Sequence, residues 1–135
     1  MSLFRTDEME EKYKKALESH PEGWNNFKEK ENLVKEYNNW LIVQNTFYYD
    51  KLVAKGDHHL LIPKRQVSDV FNLKGIEWRE LGQIKEELEN EGKYNTMFLN
   101  FIKTRSVLDY LHIGLIIWRE KYETKDFRRA MAQCK

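Results

Sequence analysis

An α+β domain built on an antiparallel sheet of about five strands is the fold class this sequence predicts, and the order of its hydrophobic periodicities is the main reason. Helical spacing comes first, a group of short strand-like segments follows, a second helical stretch interrupts them, and two longer strand-like segments precede a short closing helix. Composition agrees. Hydrophobic residues make up 41% and aromatic residues 13%, enough to bury a core, while the 33% that are charged nearly cancel to a net +1. A length of 135 residues fits a single domain, 1–135.

Each element has a local cause. Thr6 can cap a helix over about 7–19, with Asp7 and Glu8 in its first turn, where the positive end of the helix dipole favours carboxylates. Met9, Tyr13 and Leu17 recur at helical spacing until His20-Pro21-Glu22-Gly23 ends the run, which reads as an amphipathic lid on a core of about 32–119. Strand-like segments follow at 33–37, 40–44, 51–54 and 59–62, the first three as an antiparallel meander, with Lys55-Gly56-Asp57 as the turn before the last. Trp78, Leu81, Ile84 and Leu88 mark one face of a helix over about 76–90, stopped by Glu91-Gly92. Strands at 94–102 and about 108–118 come next, joined by the basic loop Lys103-Thr104-Arg105-Ser106. Phe127, Ala130, Met131 and Cys134 share one face of a closing helix over about 124–134.

Several function classes drop out. The near-zero net charge provides no steering toward nucleic acid or an acidic membrane surface, so a nucleic-acid partner is not expected. An aromatic and basic RNA-binding sheet, with Tyr94, Phe98 and Phe101 near Lys103 and Arg105, meets the same objection. No apolar run reaches the roughly 18 residues of a bilayer span. Met1 to Lys15 is charged rather than signal-like, so a cytoplasmic protein without a membrane partner is expected. The single cysteine, Cys134, excludes an intramolecular disulfide and a Cys-based zinc site. His58, His59 and His112 lack compact metal-ligand spacing and no HExxH stretch exists, so neither metal nor cofactor is expected. Serine and cysteine nucleophile elbows are absent too.

The most informative stretch is Tyr110-Leu111-His112-Ile113-Gly114-Leu115-Ile116-Ile117-Trp118, which carries one imidazole in the middle of an apolar strand. Upstream lies His58-His59-Leu60-Leu61-Ile62-Pro63-Lys64-Arg65. Together they resemble the histidine-triad (HIT) superfamily of nucleotide hydrolases and transferases, whose signature alternates His, apolar, His, apolar, His, apolar, apolar. Tyr110 stands in the first histidine's place, His112 keeps the middle one, and Gly114 replaces the third. The upstream segment is similar to the family's His-x-apolar-apolar-Ile-Pro-Lys-x-His-apolar, with Gln66 where a histidine is usual. Phe47-Tyr48-Tyr49-Asp50 resembles the Phe-Pro-Tyr-Asp of some relatives, and the resemblance spans roughly 32–119.

The resemblance implies a HIT-like antiparallel sheet with helices packed on it, and a homodimer formed through the 76–90 helix and the 94–102 strand. It also implies a nucleoside monophosphate or nucleotide-derived small molecule as ligand. His112 would be the nucleophile toward an α-phosphate, because one ring nitrogen can attack when the other donates to a carbonyl. Tyr110 would donate a single hydrogen bond, and Gly114 none from a side chain. His58 would sit near the phosphate; His59 alternates to the opposite sheet face, so only one of the pair can look into the pocket. Asp50 matches a ribose-holding carboxylate, Lys103, Arg105 and Ser106 lie on a phosphate-side loop, and Asn100 is a further phosphate or ribose contact. Plainer readings stand beside these: His112 as a core histidine, His58 and Asp50 as turn residues, 103–106 as a solvated hairpin. A HIT-like module that binds nucleotide or protein without turnover is the rival function.

Overall fold

The computed structural model describes residues 4–19, 32–99 and 110–118. Helix α1 is Asp7–Ser19, followed by strands β1 (Leu33–Glu36), β2 (Trp40–Gln44) and β3 (His58–Pro63). Helix α2 is Gly75–Glu91, and strands β4 (Thr96–Phe98) and β5 (Ile113–Ile116) complete a five-stranded sheet of order β1-β2-β3-β5-β4. Every pairing is antiparallel. The fold is therefore α+β, as the periodicities predict. No helix among the described residues is long and apolar enough to cross a membrane.

The middle of the sheet is β3, all of whose residues are buried. Its run Leu60-Leu61-Ile62 is apolar on both faces because both faces are covered. On one side Trp40, Ile42, Leu61, Ile113 and Leu115 pack against Ile84 and Leu88 of α2. Ile84 is 1% exposed, and burying such a side chain stabilises by about 1.5–3 kcal/mol. On the other side Val43, Leu60, Ile62 and Tyr110 form a second cluster, and Phe4, Leu52, Val53, Ile116 and Trp118 a third. Gly92 ends α2 in the left-handed region, at φ 67, and its N–H donates to the Leu88 carbonyl.

The structure corrects several sequence expectations. Residues 51–54 are a turn, not a strand: the Leu52 and Val53 N–H groups both donate to the Tyr49 carbonyl, and the two side chains are buried beneath Phe4 and Trp118. The meander accordingly reduces to the β1–β2 hairpin, and β2 pairs directly with β3. The strand expected at 94–102 is limited to Thr96–Phe98 among the described residues, and 108–118 to Ile113–Ile116. Leu111 leaves the ladder because its N–H donates to the Val67 carbonyl at 2.7 Å. Trp78 does not join the inner face of α2; it is 46% exposed, and Glu77 is buried at 3%. Glu77 tolerates this because Arg65 pairs with its carboxylate at 2.6 Å and the Lys74 N–H donates to it at 2.7 Å. Leu17's side chain, the 20–23 stop, the loop at 103–106, Asn100 and the 124–134 helix lie outside the described residues.

Candidate functional site

Alternation along β5 and the residues before it places Tyr110, His112, Gly114 and Ile116 on the sheet face opposite α2, since Leu111, Ile113 and Leu115 pack with α2. In register, Leu60 lies opposite Gly114 and His58 opposite Ile116. By this alternation His58, Tyr110, His112 and Gly114 fall on one face. His59, one residue on, faces α2 and pairs its Nδ1 with the Tyr94 hydroxyl. Both histidines are buried, at 1% and 2% exposure.

His112 is half-buried, and its Nδ1 lies 3.1 Å from the Tyr110 carbonyl oxygen. A carbonyl only accepts, so Nδ1 donates, and in the neutral ring the lone pair sits on Nε2. That tautomer is the one a nucleophilic imidazole needs.

His58 is set up differently. The Asn45 amide nitrogen lies 3.3 Å from its Nε2, and the Tyr49 backbone N–H is 3.3 Å from its Nδ1. The Asn45 amide is oriented by its own oxygen, which accepts from the Phe47 N–H at 2.9 Å. A neutral imidazole has one lone pair and accepts from only one of these two donors at a time, and neither side offers an acceptor to an imidazolium. Burial first, then the Arg5 charge and the neighbouring histidines, push the His58 pKa from 6.5 down to about 3. His58 is a neutral ring here and contributes no cation to this face. Burial, followed by the Lys93 charge, lowers His59 too, and burial raises Tyr94 to about 12, so that pair is neutral as well.

Gly114 has a steric reason to be glycine. A Cβ at this position would stand 2.6 Å from Cζ of the Phe98 ring, which reaches across from β4, where Phe98 pairs with Gly114. The space a third triad side chain would use is filled by an aromatic ring. Phe98 in turn lies 6.3 Å from Tyr49 at an interplanar angle of 27°, and Tyr49 packs 4.5 Å from the His58 ring.

Asp50 is engaged by the segment that precedes α1. The Thr6 N–H donates to its Oδ1 at 2.8 Å and the Thr6 hydroxyl to its Oδ2 at 2.7 Å. Beside it, Arg5 donates from Nε to the Phe47 carbonyl at 2.7 Å and stacks over Tyr13 and Tyr49, 4.5 and 4.9 Å from the ring centroids. Sequence reasoning missed Arg5, Asn45, Tyr49 and Phe98. Only Phe98 had a usable signal: a glycine within an otherwise bulky strand implies a large neighbour on that face. Asn100, Lys103, Arg105 and Ser106, expected on the ligand side, lie outside the described residues.

No family model matches the sequence, and no curated protein matches it. Solved structures do. A HIT family hydrolase from Legionella pneumophila Philadelphia 1 is 20% identical with a TM-score of 0.48, the match covering 66% of this chain and 82% of that one. A hypothetical protein from Leishmania major is 18% identical with a TM-score of 0.50, covering 65% of this chain and 63% of that one. A histidine triad nucleotide-binding protein from Candida albicans is 17% identical with a TM-score of 0.43, covering 75% and 81%. The likeness is one of fold alone, an α+β domain on an antiparallel sheet.

Proposed function

We propose that this protein binds a nucleoside monophosphate or a nucleotide-derived small molecule on the sheet face opposite α2, with the α-phosphate beside His112. The observation that carries the reading is the His112 geometry: a half-buried imidazole whose Nδ1 faces the Tyr110 carbonyl, so that the lone pair lies on Nε2. In the catalytic form of the proposal, Nε2 attacks the α-phosphorus, the leaving group departs, and water releases the nucleoside monophosphate from the nucleotidyl-histidine. Asn100, Lys103, Arg105 and Ser106 are proposed to hold phosphate or ribose, and Tyr110 to support His112. Asp50 serves the ribose in this reading only after exchanging its bonds to Thr6. The test is incubation with adenosine phosphoramidate and dinucleoside polyphosphates, followed by measurement of AMP release. Release that disappears in His112→Ala is expected; release that persists would rule out His112 as the nucleophile.

Phe98 favours a second reading, a binding module without turnover. Its ring stands where an imidazole could have supported the charge that develops in the transition state, and a missing donor of that kind lowers rates by roughly 10²–10³. AMP binding by calorimetry without AMP release separates this reading from the first.

The assembly we propose is a homodimer through α2 and β4. The outer edge of β4 has no partner strand among the described residues, and Trp78 of α2 and Leu99, just after β4, are 46% and 40% exposed. Light scattering at tens of micromolar should return twice the 16.4 kDa chain mass; the chain mass itself refutes the dimer. A cytoplasmic location completes the proposal.

A further inference from the structure

The Phe4–Thr6 segment packs on the sheet face that carries His58. Phe4 is 8% exposed and packs with Ile116 and Trp118, and Ile116 is the cross-strand neighbour of His58. Its ring lies 4.9 Å from Tyr49, the residue whose ring covers His58, and its carbonyl accepts from the Lys51 N–H at 3.0 Å. Arg5 closes over the other side of this corner, stacked on Tyr49 and bonded to the Phe47 carbonyl. Thr6 fills both carboxylate oxygens of Asp50. Three consecutive residues thus cover the His58 end of the face.

The described α1 side chains are all exposed or half-buried. The contacts beyond the three anchors come from its inner edge, where Tyr13 lies 5.4 Å from the Phe47 ring and Glu10 lies 3.6 Å from Arg5. The bonds that Arg5 and Thr6 make here are polar and only part-buried, and a segment attached through such bonds opens at a lower free energy than the sheet beneath it.

We propose that residues 4–6 form a strap that closes the His58 end of the sheet face, and that its release uncovers the His58 imidazole and admits ligand there. The ligand half rests on the nucleotide reading; the covering half does not. Because His58 stays neutral, it is reactive toward diethyl pyrocarbonate whenever it is reached, and half-buried His112 serves as an internal reference.

The experiment compares the full chain with two full-length variants, Phe4→Ala/Arg5→Gln and the milder Arg5→Gln/Thr6→Val, by peptide mass spectrometry of carbethoxylated histidines and by AMP calorimetry. Expected is a parent His58 that lags far behind His112, and a rate for His58 that rises at least about tenfold in folded variants. AMP should bind more tightly to the variants by a comparable factor. An unchanged ratio of His58 to His112 modification in both variants overturns the strap. Unchanged AMP affinity despite an opened His58 overturns its competition with ligand. An opened His58 with no AMP binding in any of the proteins supports the strap and overturns the nucleotide reading instead.

Discussion

Acidification from neutral pH should destabilise this protein through His58. In the unfolded chain the imidazole takes up a proton near 6.5, whereas in the fold it does so only near 3, because burial first and then the Arg5 charge disfavour the cation. Between those values the unfolded state holds the extra proton, so stability is complete above 6.5 and falls as the pH drops toward 3. The slope is about 1.4 kcal/mol per pH unit, so moving from neutral pH to about pH 5 costs about 2 kcal/mol. With a urea slope of about 2 kcal/mol/M, the midpoint moves down by about 1 M. His59, also lowered, acts in the same direction. Comparison with His58→Gln isolates His58, because the difference in pH slope, not absolute stability, is the readout. Tryptophan-monitored urea unfolding at about pH 7, 6 and 5 measures it. Equal slopes for the two proteins would refute the claim that His58 is buried in its neutral form.

Other expectations follow from single contacts. Gly114→Ala should destabilise by about 1–3 kcal/mol by pressing on the Phe98 ring, and Phe98→Ala in the same chain should recover most of that loss; additive losses in a double-mutant cycle would refute the contact. For the same reason Gly114→His alone should be poorly tolerated and inactive, while Gly114→His/Phe98→Ala should raise any AMP release above the parent level; an inert, folded double variant counts against the catalytic reading. Glu77→Ala removes the Arg65 pair and the bond from the Lys74 N–H at the start of α2, and a loss of about 2–3 kcal/mol in thermal or urea unfolding is expected, with Arg65 partly solvated.

Much of the fold was legible because it rests on local periodicity. The strand at 40–44 coincides with β2, the helix at about 76–90 with α2 to within a residue at each end, and the Glu91-Gly92 stop with a left-handed glycine. Residues 51–54 misled because Leu52 and Val53 satisfy a pattern of burial without a pattern of pairing; their backbone bonds close a turn on Tyr49 instead. Trp78 misled because α2 reserves its first inner position for Glu77, and only the approach of Arg65 from the loop after β3 makes a buried carboxylate acceptable there.

The sequence by itself determined the periods and the punctuation of α1, β2 and α2, and that His58, Tyr110, His112 and Gly114 stand in a recognisable order. These properties depend on residues a few positions apart, where side-chain spacing and turn chemistry act directly. The tertiary structure alone decided what surrounds them. The carbonyl at His112 Nδ1, the Phe98 ring over Gly114, the donors around His58 and the Thr6 grip on Asp50 define the site, and the last three join residues 9 to 44 positions apart. A contact between distant residues depends on which strands become neighbours and which faces they turn to each other, and the sum of the core packing sets both.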